Sequence, residues 1–197
     1  IIATGAKPSK LNVKGEQEFT GRGVSYCAVC DGAFYKDKTV VVVGGGNAAV
    51  EEGVYLTKFA LKVYIGHRRD ALRADKIVQE RAFKNNKIEF IWDSVVQEIQ
   101  GDGKVQNVVV KNLKTGEISH IQTDGVFPYI GFTPNCDGFN GQLQQDEKGF
   151  ITVDENLQTS IPGVFAAGDV RVTPLRQVIT AVADGAIAGV SAVKYLE

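Results

Sequence analysis

The fold of this chain is decided by the stretch Thr39-Val40-Val41-Val42-Val43-Gly44-Gly45-Gly46-Asn47-Ala48-Ala49. Its run of β-branched residues predicts a buried strand. The three glycines predict a tight turn, and the apolar spacing at Val50, Val54 and Leu56 predicts a helix over residues 47–60. A strand, a glycine turn and a helix in this order open a β-α-β unit, whose second strand returns parallel to the first.

Strand and helix patterns continue along the rest of the chain. They predict strands at 61–65, 88–92, 95–99, 105–111, 117–122 and 125–130, with a helix at 75–85. After Gly131 they predict short strands at 150–153 and 164–167 and a final helix at 175–196, whose Ala and Val content is that of a buried helix. This alternation predicts an α/β fold built on a parallel sheet.

The residues from Gly44 to Ala49 also fit the GxGxxA pattern of dinucleotide-binding turns. The first Gly permits the tight turn, the second lets a pyrophosphate approach the backbone, and the small Ala49 lets the helix pack on the strand. Free N–H groups at the helix start would then bind the phosphates. Our candidates for this contact are Gly44, Gly45, Gly46, Asn47, Ala48 and Ala49. The alternative is a strand-to-helix turn with a purely structural role.

Arginines follow the second strand of this unit, where the adenosine ribose of a bound dinucleotide would lie. An acidic residue at this place binds the 2′-hydroxyl of NADH, whereas the 2′-phosphate of NADPH needs cations. The first acidic residue here is Asp70, which comes only after His67, Arg68 and Arg69. The set His67, Arg68, Arg69 and Arg73 therefore predicts a preference for NADPH. The alternative is a basic loop that only faces solvent.

The composition of the chain narrows the classes of function. Its 197 residues carry 22 Lys+Arg and 23 Asp+Glu, a formal charge of −1, and 44% of them are hydrophobic. This balance is that of a globular protein, and it excludes a disordered tail, a basic nucleic-acid binder and a membrane-surface protein. No apolar run approaches the ~20 residues that span a bilayer, so we expect a soluble chain.

Two of the three cysteines stand at CxxC spacing in Cys27-Ala28-Val29-Cys30-Asp31-Gly32. Such a pair closes a disulfide across a short turn, and a helix that begins there favours the thiolate. A zinc site would need two further ligands, and Cys136, His67 and His120 do not stand at paired spacing. We therefore predict a redox disulfide in a reducing, cytoplasmic compartment. Two inert buried thiols and structural zinc are the alternatives, and Cys136 is predicted to be an ordinary thiol.

Asp31, next to the pair, is a candidate proton donor or acceptor for thiol–disulfide exchange. Its alternative role is that of a turn or N-cap carboxylate before Gly32. Nicotinamide donates a hydride, while a disulfide is reduced by two electrons through a thiolate-bearing intermediate. A flavin is the expected relay between the two, because it accepts hydride and reacts with sulfur.

A candidate flavin contact lies near the end of the chain. The last predicted strand runs into Gly168-Asp169-Val170, and Arg176-Gln177-Val178 stand at the head of the final helix. Asp169 could bind a ribityl hydroxyl, and N–H groups at the helix start could bind a ring carbonyl. The alternative is a plain strand-to-helix turn.

Four segments in this order resemble the low-molecular-weight thioredoxin reductases of the bacterial type. They are CAVCDG at 27–32, GGGNAAVEE at 44–52, HRRDALRA at 67–74, and VFAAGDV followed by RQ within 164–177. The resemblance implies a homodimeric flavoprotein in which a Rossmann-like, three-layer NADPH domain, inserted in an FAD-binding domain, carries the redox disulfide. It also implies that Cys27 and Cys30 are the dithiol, Asp31 the proton donor, Arg68, Arg69 and Arg73 the 2′-phosphate site, and residues 169–178 the flavin contact.

The front of the chain departs from that family. Those reductases open with a second glycine-rich turn that grips FAD, and none precedes Ile1, where the chain starts without Met. We therefore expect a piece of a longer protein, short of about a hundred residues of its FAD domain, that binds FAD weakly or not at all. The expected domains are the end of the FAD domain at 1–9, the NADPH domain with its disulfide at 10–125, and the C-terminal part of the FAD domain at 126–197.

Three functions remain open at this point. The first is NADPH-dependent, FAD-mediated reduction of the thioredoxin disulfide by the parent protein. The second is a flavoprotein that reduces a peroxidase partner through the same CxxC chemistry, and relatives of that kind favour NADH, which His67-Arg68-Arg69 argue against. The third is a nucleotide-binding module with a structural disulfide.

Overall fold

The computed structural model describes residues 1–139 and 141–197. The chain forms two compact units. The larger unit is Ser9–Gly131, and the split unit consists of Ile1–Pro8 and Phe132–Glu197. The larger unit is therefore inserted in the sequence of the split one.

The described residues contain nine strands and four α-helices. In chain order the strands are β1 (Ala6–Pro8), β2 (Thr39–Val43), β3 (Lys62–Gly66), β4 (Ile88–Ile91), β5 (Ser94–Asp102), β6 (Lys104–Asn112), β7 (Ile118–Gln122), β8 (Gly125–Pro128) and β9 (Phe132–Pro134). The helices are α1 (Ala28–Asp31), α2 (Asn47–Leu56), α3 (Lys76–Phe83) and α4 (Val178–Leu196).

The larger unit is built on a parallel sheet in the order β4-β3-β2-β8. Because side chains alternate along a strand, the valines of β2 serve two cores. Val40 and Val42 pack with Ala49 and Leu56 of α2. Val41 and Val43 face the other way, toward the antiparallel sheet β5-β6-β7 and its apolar side chains Val96, Ile99, Val105, Val108 and Val110.

Helices, parallel sheet and antiparallel sheet thus form three layers, and the predicted Rossmann-like, three-layer α/β arrangement is confirmed. The strands predicted at 105–111 and 117–122 form a hairpin around Thr115-Gly116, because β6 and β7 pair antiparallel from Lys111 and Ile118 onward. Helix α2 ends at Leu56 instead of residue 60. There the backbone tightens, since the N–H of Thr57 donates to the carbonyl of Val54, three residues back.

The split unit has a core of its own. Ile2 forms a parallel bridge with Ala166 and packs with Ile151 and Val170. A second cluster joins Phe165 to Ala188 of α4, together with Leu157 and Ala167. The short turn of 3₁₀ helix Gly168–Val170 follows this core and precedes α4.

The boundary predicted between 125 and 126 needs a correction. Residues 126–131 belong to the larger unit, because β8 pairs with β2 at the edge of the parallel sheet. The apolar run that begins at Gly125 is therefore the edge strand of the parallel sheet, next to β2. The assignment of the units to NADPH and FAD remains a prediction.

The predicted burial of the last helix is wrong. In α4 only Asp184 and Ala188 are buried, whereas Val178 and Leu196 are 80% and 84% exposed. An Ala and Val-rich composition signals that a helix can be buried all round, but only one stripe of α4 meets the core of its unit. By length and composition α4, with a hydropathy of 1.3, is the one helix among the described residues that could cross a membrane, which is weak evidence by itself.

Candidate nucleotide and disulfide site

Cys27 and Cys30 form a disulfide, with their Cα atoms 5.3 Å apart. Cys27 is the N-cap of α1, and its Sγ accepts a hydrogen bond from the N–H of Cys30 at 3.1 Å. Cys30 is exposed and Cys27 half-buried. A sulfur that accepts a backbone N–H at a helix start is favoured as a thiolate once the bond is reduced.

A buried serine, Ser25, lies beside the pair. Its Oγ donates to Asp31 Oδ2 at 2.6 Å and accepts from the N–H of Cys27 at 3.1 Å. Asp31 stands at the N-cap of the following 3₁₀ turn, but its side chain makes no cap hydrogen bond there. Asp31 directly follows Cys30, and its carboxylate is hydrogen-bonded to Ser25.

A tyrosine from the other end of the unit reaches the same helix. Tyr129, which follows β8, accepts the N–H of Ala28 on its hydroxyl at 2.7 Å. Burial raises the pKa of Tyr129 to about 12, so the phenol stays neutral at physiological pH. Sequence reasoning missed Tyr129 because it stands 101 residues from Ala28. Ser25 was missed too, although a serine two residues before a helix N-cap is a local signal for such a contact.

The glycine turn between β2 and α2 has the predicted form. Gly44 has a φ of +150°, and a Cβ on it would collide with the carbonyl oxygen of Tyr129. A Cβ on Gly45 would collide with the ring of His67, whereas a Cβ on Gly46 would meet nothing within 4 Å. The open space at Gly46 is what the close approach of a ligand to the backbone requires.

The basic loop after β3 folds back over this turn. The N–H groups of Arg73 and Ala74 donate to the carbonyl oxygen of Gly45 at 2.7 and 3.1 Å. The loop is fastened a second time, since Asn47 accepts the N–H of Asp75 at 2.7 Å and donates to its carboxylate at 2.8 Å. Arg73 therefore lies beside the glycine turn, and the side chain of Asn47 holds the loop through Asp75.

The first carboxylate of the loop, that of Asp70, is paired with a lysine. Lys114 Nζ lies 2.8 Å from Asp70 Oδ2, and Lys114 lowers the pKa of Asp70. Arg68, Arg69 and Arg73 are exposed. The loop therefore offers cations toward solvent, with its first carboxylate already paired.

A cavity of about 360 Å³ lies between the turn and the loop. It is lined by Gly44, Gly45, His67, Arg68, Arg73 and Tyr129, among others. The ring of His67 is 5% exposed, and its Nε2 is buried without a partner among the described residues. Burial, followed by the charges of Arg73, Arg68 and Arg69, lowers the pKa of His67. His67 lines this cavity together with the cations of Arg68 and Arg73, and a cavity lined by cations fits an anionic ligand. The predicted nucleotide contacts that are not among its lining residues are Gly46, Asn47, Ala48, Ala49 and Arg69.

The predicted flavin contacts lie in the split unit. Gly168, with a φ of +75°, opens the 3₁₀ turn that contains Asp169 and Val170. The N–H of Gly168 donates to Asp184 Oδ2 at 2.9 Å. Asp184 is buried and is also held by Arg171 through bonds of 2.6 Å from Nε and from NH2, and this pairing lowers its pKa. Sequence reasoning missed Asp184, whose signal is a lone carboxylate in an apolar helix.

The second part of that contact begins α4. Gln177 is the N-cap of α4, with reciprocal bonds to Thr180, and Val178 is its first residue. The Arg176 guanidinium lies 4.1 Å from the centroid of the Phe150 ring, and its Nε is buried without a partner among the described residues. Such an orphaned donor fits an acceptor on a bound group.

Comparisons with known proteins agree with this geometry. The chain is 55% identical to a thioredoxin reductase of Peptoclostridium acidaminophilum and 54% identical to one of Bacillus subtilis, over its whole length, and it spans 64% and 63% of their lengths. The crystal structure of Lactococcus lactis thioredoxin reductase in its FR conformation matches 99% of the chain and 65% of that protein, with 52% identity and a TM-score of 0.86. The family model for pyridine nucleotide-disulphide oxidoreductases matches residues 1–185. The chain belongs to the pyridine nucleotide-disulphide oxidoreductase family.

Proposed function

We propose that this chain carries the NADPH site and the dithiol of a thioredoxin-disulfide reductase. The observation that carries the proposal is the presence, in one compact unit, of an accessible Cys27–Cys30 disulfide and a glycine turn under a basic loop. Similarity to thioredoxin reductases over the whole chain supports it. When bound, NADPH and FAD supply the two electrons that open the disulfide.

The nucleotide residues act by charge and by open space. Gly44 and Gly45 make the turn, and the free space at Gly46 admits the pyrophosphate. Arg68, Arg69 and Arg73 would bind the 2′-phosphate that distinguishes NADPH from NADH. Asp70, the carboxylate that could favour NADH, is paired with Lys114. These features support NADPH as the dinucleotide.

The dithiol step needs a proton carrier, and we assign that role to Asp31, which directly follows Cys30 and whose carboxylate is held by Ser25. In the reduced chain one cysteine passes its proton to the Asp31 carboxylate, and its sulfur attacks the thioredoxin disulfide. A mixed S–S bond forms, the thioredoxin S–S bond breaks, and the leaving thiolate takes the proton from Asp31. The second cysteine then loses its proton to solvent as its sulfur attacks the mixed disulfide. This closes Cys27–Cys30, and the second thioredoxin thiolate leaves and is protonated from solvent. Two electrons and two protons have moved to thioredoxin.

The surface around the disulfide suits a protein partner. Val29, between the two cysteines, is 64% exposed, and Phe34 of the following turn is 73% exposed. Exposed apolar side chains beside a reactive group are typical of protein contact sites. These exposed side chains support a protein as the partner, and similarity to thioredoxin reductases supports thioredoxin.

The proposal extends to FAD, to a homodimer and to the cytoplasm. Gly168, Asp169 and Val170, with Arg176, Gln177 and Val178, would contact the flavin, and the orphaned Nε of Arg176 supports an acceptor there. The exposed apolar side chains of α4 offer area for association. A disulfide in a reducing compartment is usually a transient, catalytic one, so the proposed redox role is compatible with the cytoplasm.

The test is electron transfer from the chain itself. The chain is reduced, freed of reductant and mixed with oxidised thioredoxin, and the thiols of both proteins are counted by alkylation and mass spectrometry. We expect one dithiol to be passed to one thioredoxin. Cys30→Ser should stop the transfer, while Cys136→Ser should leave it unchanged because Cys136 is buried in the split unit.

Two results would contradict the proposal. One is a reduced chain that reacts with a small disulfide but not with thioredoxin, which would leave a structural or differently directed disulfide. The other is faster transfer to a peroxidase partner than to thioredoxin, which would favour the second function considered above.

A further inference from the structure

The hydroxyl group of Ser25 connects the carboxylate of Asp31 to the backbone of Cys27. Its Oγ lies 2.6 Å from Asp31 Oδ2 and 3.1 Å from the backbone nitrogen of Cys27. The serine is 6% exposed, so its hydroxyl is largely shielded from solvent. This buried hydroxyl therefore forms hydrogen bonds both to a carboxylate and to the N-cap residue of the CxxC helix.

The chemistry of the groups fixes the direction of both bonds. Ser25 has one proton, and a carboxylate only accepts, so the hydroxyl donates to Asp31. Its lone pairs are then free to accept the N–H of Cys27. The other acceptor in reach, the carbonyl oxygen of Cys27, is 3.4 Å away and is the poorer one. The result is a chain N–H···O–H···O⁻ in which each bond strengthens the next.

This arrangement leaves Asp31 half engaged. Oδ2 is held by Ser25, which fixes the side-chain rotamer, and Oδ1 is not part of this bond. Asp31 and Ser25 both line a cavity of about 350 Å³, together with Arg22, Lys38 and Lys104. The carboxylate therefore has solvent access on one side while its orientation is fixed on the other.

We propose that Ser25 is a positioning residue, whose hydroxyl holds the Asp31 carboxylate in fixed relation to the backbone of Cys27 for thiol–disulfide exchange. The inference rests on the role of Asp31 in the proposed function. Ser25 touches neither the sulfur nor the partner, and it acts through Asp31. The proton still moves from thiol to Asp31 and from Asp31 to the leaving thiolate, and no proton leaves the serine.

The test is a double-mutant cycle on the reduced chain, with 2-hydroxyethyl disulfide as the oxidant. Its leaving thiolate has an ordinary basicity and needs a proton, so the rate reports the proton carrier. Asp31→Asn should slow oxidation about 100-fold, the lower end for loss of a general acid or base. Ser25→Ala should slow it about tenfold, as expected for one hydrogen bond to a charged group. In the Asp31→Asn background Ser25→Ala should change the rate less than twofold.

Two variants separate positioning from folding. Ser25→Thr keeps the hydroxyl and should oxidise within about threefold of the native rate. Thr123→Val removes another buried hydroxyl of the same unit, which bonds the carbonyls of Thr39 and Gly125, and should lower stability without slowing oxidation. If Ser25→Ala does not fold, the pair Ser25→Thr and Ser25→Val differs by the same hydroxyl.

Equal slowing by Ser25→Ala in both backgrounds would overturn the inference, as would an unchanged rate in the native background. An Asp31→Asn chain that reacts at the native rate would refute both the role of Asp31 and the inference built on it. If the cycle is coupled as expected but the reduced chain does not reduce thioredoxin, only the proposed partner is wrong.

Discussion

Among single residues, the arginines of the basic loop give the most specific prediction about nucleotide binding. Arg68 lines the cavity beside Gly45 and His67, and Arg69 stands next to it in the exposed loop. Charge reversal at both positions should weaken NADP⁺ binding by two to four powers of ten, because each arginine contributes about 1.5–3 kcal/mol to a phosphate contact. NAD⁺, which lacks the 2′-phosphate, should lose less than about threefold. Isothermal titration of both nucleotides measures the difference.

The control for this prediction is Arg81→Glu. Arg81 is an exposed arginine of α3 in the same unit, so its reversal changes the net charge by the same step as reversal of one loop arginine, without touching the loop. It should change both affinities little at physiological salt. Equal losses for NADP⁺ and NAD⁺ in the Arg68 and Arg69 variant would refute the assignment of the 2′-phosphate site.

Residue types with local signals could be predicted, and partners from distant parts of the chain could not. The CxxC pair, the glycine turn and the arginines each occupy a short stretch whose spacing carries the chemistry. Tyr129 and Asp184, in contrast, act on Ala28 and Gly168 through contacts that only the folded chain creates. Hydrogen bonds of this kind leave no periodic pattern in the sequence.

Among the structural elements, the turn between β2 and α2 contains one glycine that we expect to matter for stability and another that we expect to matter for nucleotide binding. Gly44→Ala should destabilise the larger unit by roughly 2 kcal/mol, because its φ of +150° is unfavourable for alanine and the new Cβ meets the Tyr129 carbonyl. Gly46→Ala should change stability by less than about 1 kcal/mol, since its φ is −92° and its surroundings are open.

The same pair of variants should differ in the opposite sense in nucleotide affinity. A methyl group on Gly46 occupies the space that a pyrophosphate would need, so we expect binding of NADP⁺ to weaken at least about tenfold. Urea unfolding and titration calorimetry on both variants give the two readings. Native affinity in Gly46→Ala would show that the pyrophosphate does not approach the backbone at this turn.

In the larger unit the sequence predicts strand positions to within a few residues, because the β-branched runs and turn signals are local. In the split unit the strands predicted at 150–153 and 164–167 form only isolated bridges, and β9 has no predicted counterpart. The last helix shows where this reasoning stops. Its composition predicts a helix correctly, but burial depends on what packs against each face, and α4 keeps most of its apolar side chains exposed. The error in the boundary between 125 and 126 has the same origin. The apolar residues of β8 indicate a buried strand, but they do not indicate that it pairs with β2.

At the scale of the whole molecule, the two units have separate cores. The apolar clusters of the larger unit share no residue with those of the split unit. Trp92, the only tryptophan of the chain, lies in the larger unit. We therefore expect urea unfolding to show two transitions, of which tryptophan fluorescence follows one and circular dichroism follows both.

Asp184→Asn should move only the transition of the split unit. Asp184 and Arg171 are a nearly buried ion pair, with side chains 8% and 17% exposed, and removing one charge leaves the other unpaired. The expected loss is roughly 3 kcal/mol, seen by circular dichroism and not by tryptophan fluorescence. Glu80→Gln is the matched control, because it removes an exposed ion pair with Lys84 and should cost less than about 0.5 kcal/mol.

The pH dependence gives this prediction a second reading. Pairing with Arg171 lowers the pKa of Asp184 in the folded chain, so the unfolded chain takes up the proton first as the pH falls. The contribution of Asp184 is therefore complete above the unfolded pKa of about 3.9 and is lost as the pH falls through the lower folded value. In Asp184→Asn this acid-dependent part of the split-unit transition should disappear, while the tryptophan transition keeps its native pH dependence. A tryptophan transition that moves with Asp184→Asn would show that the two units unfold as one.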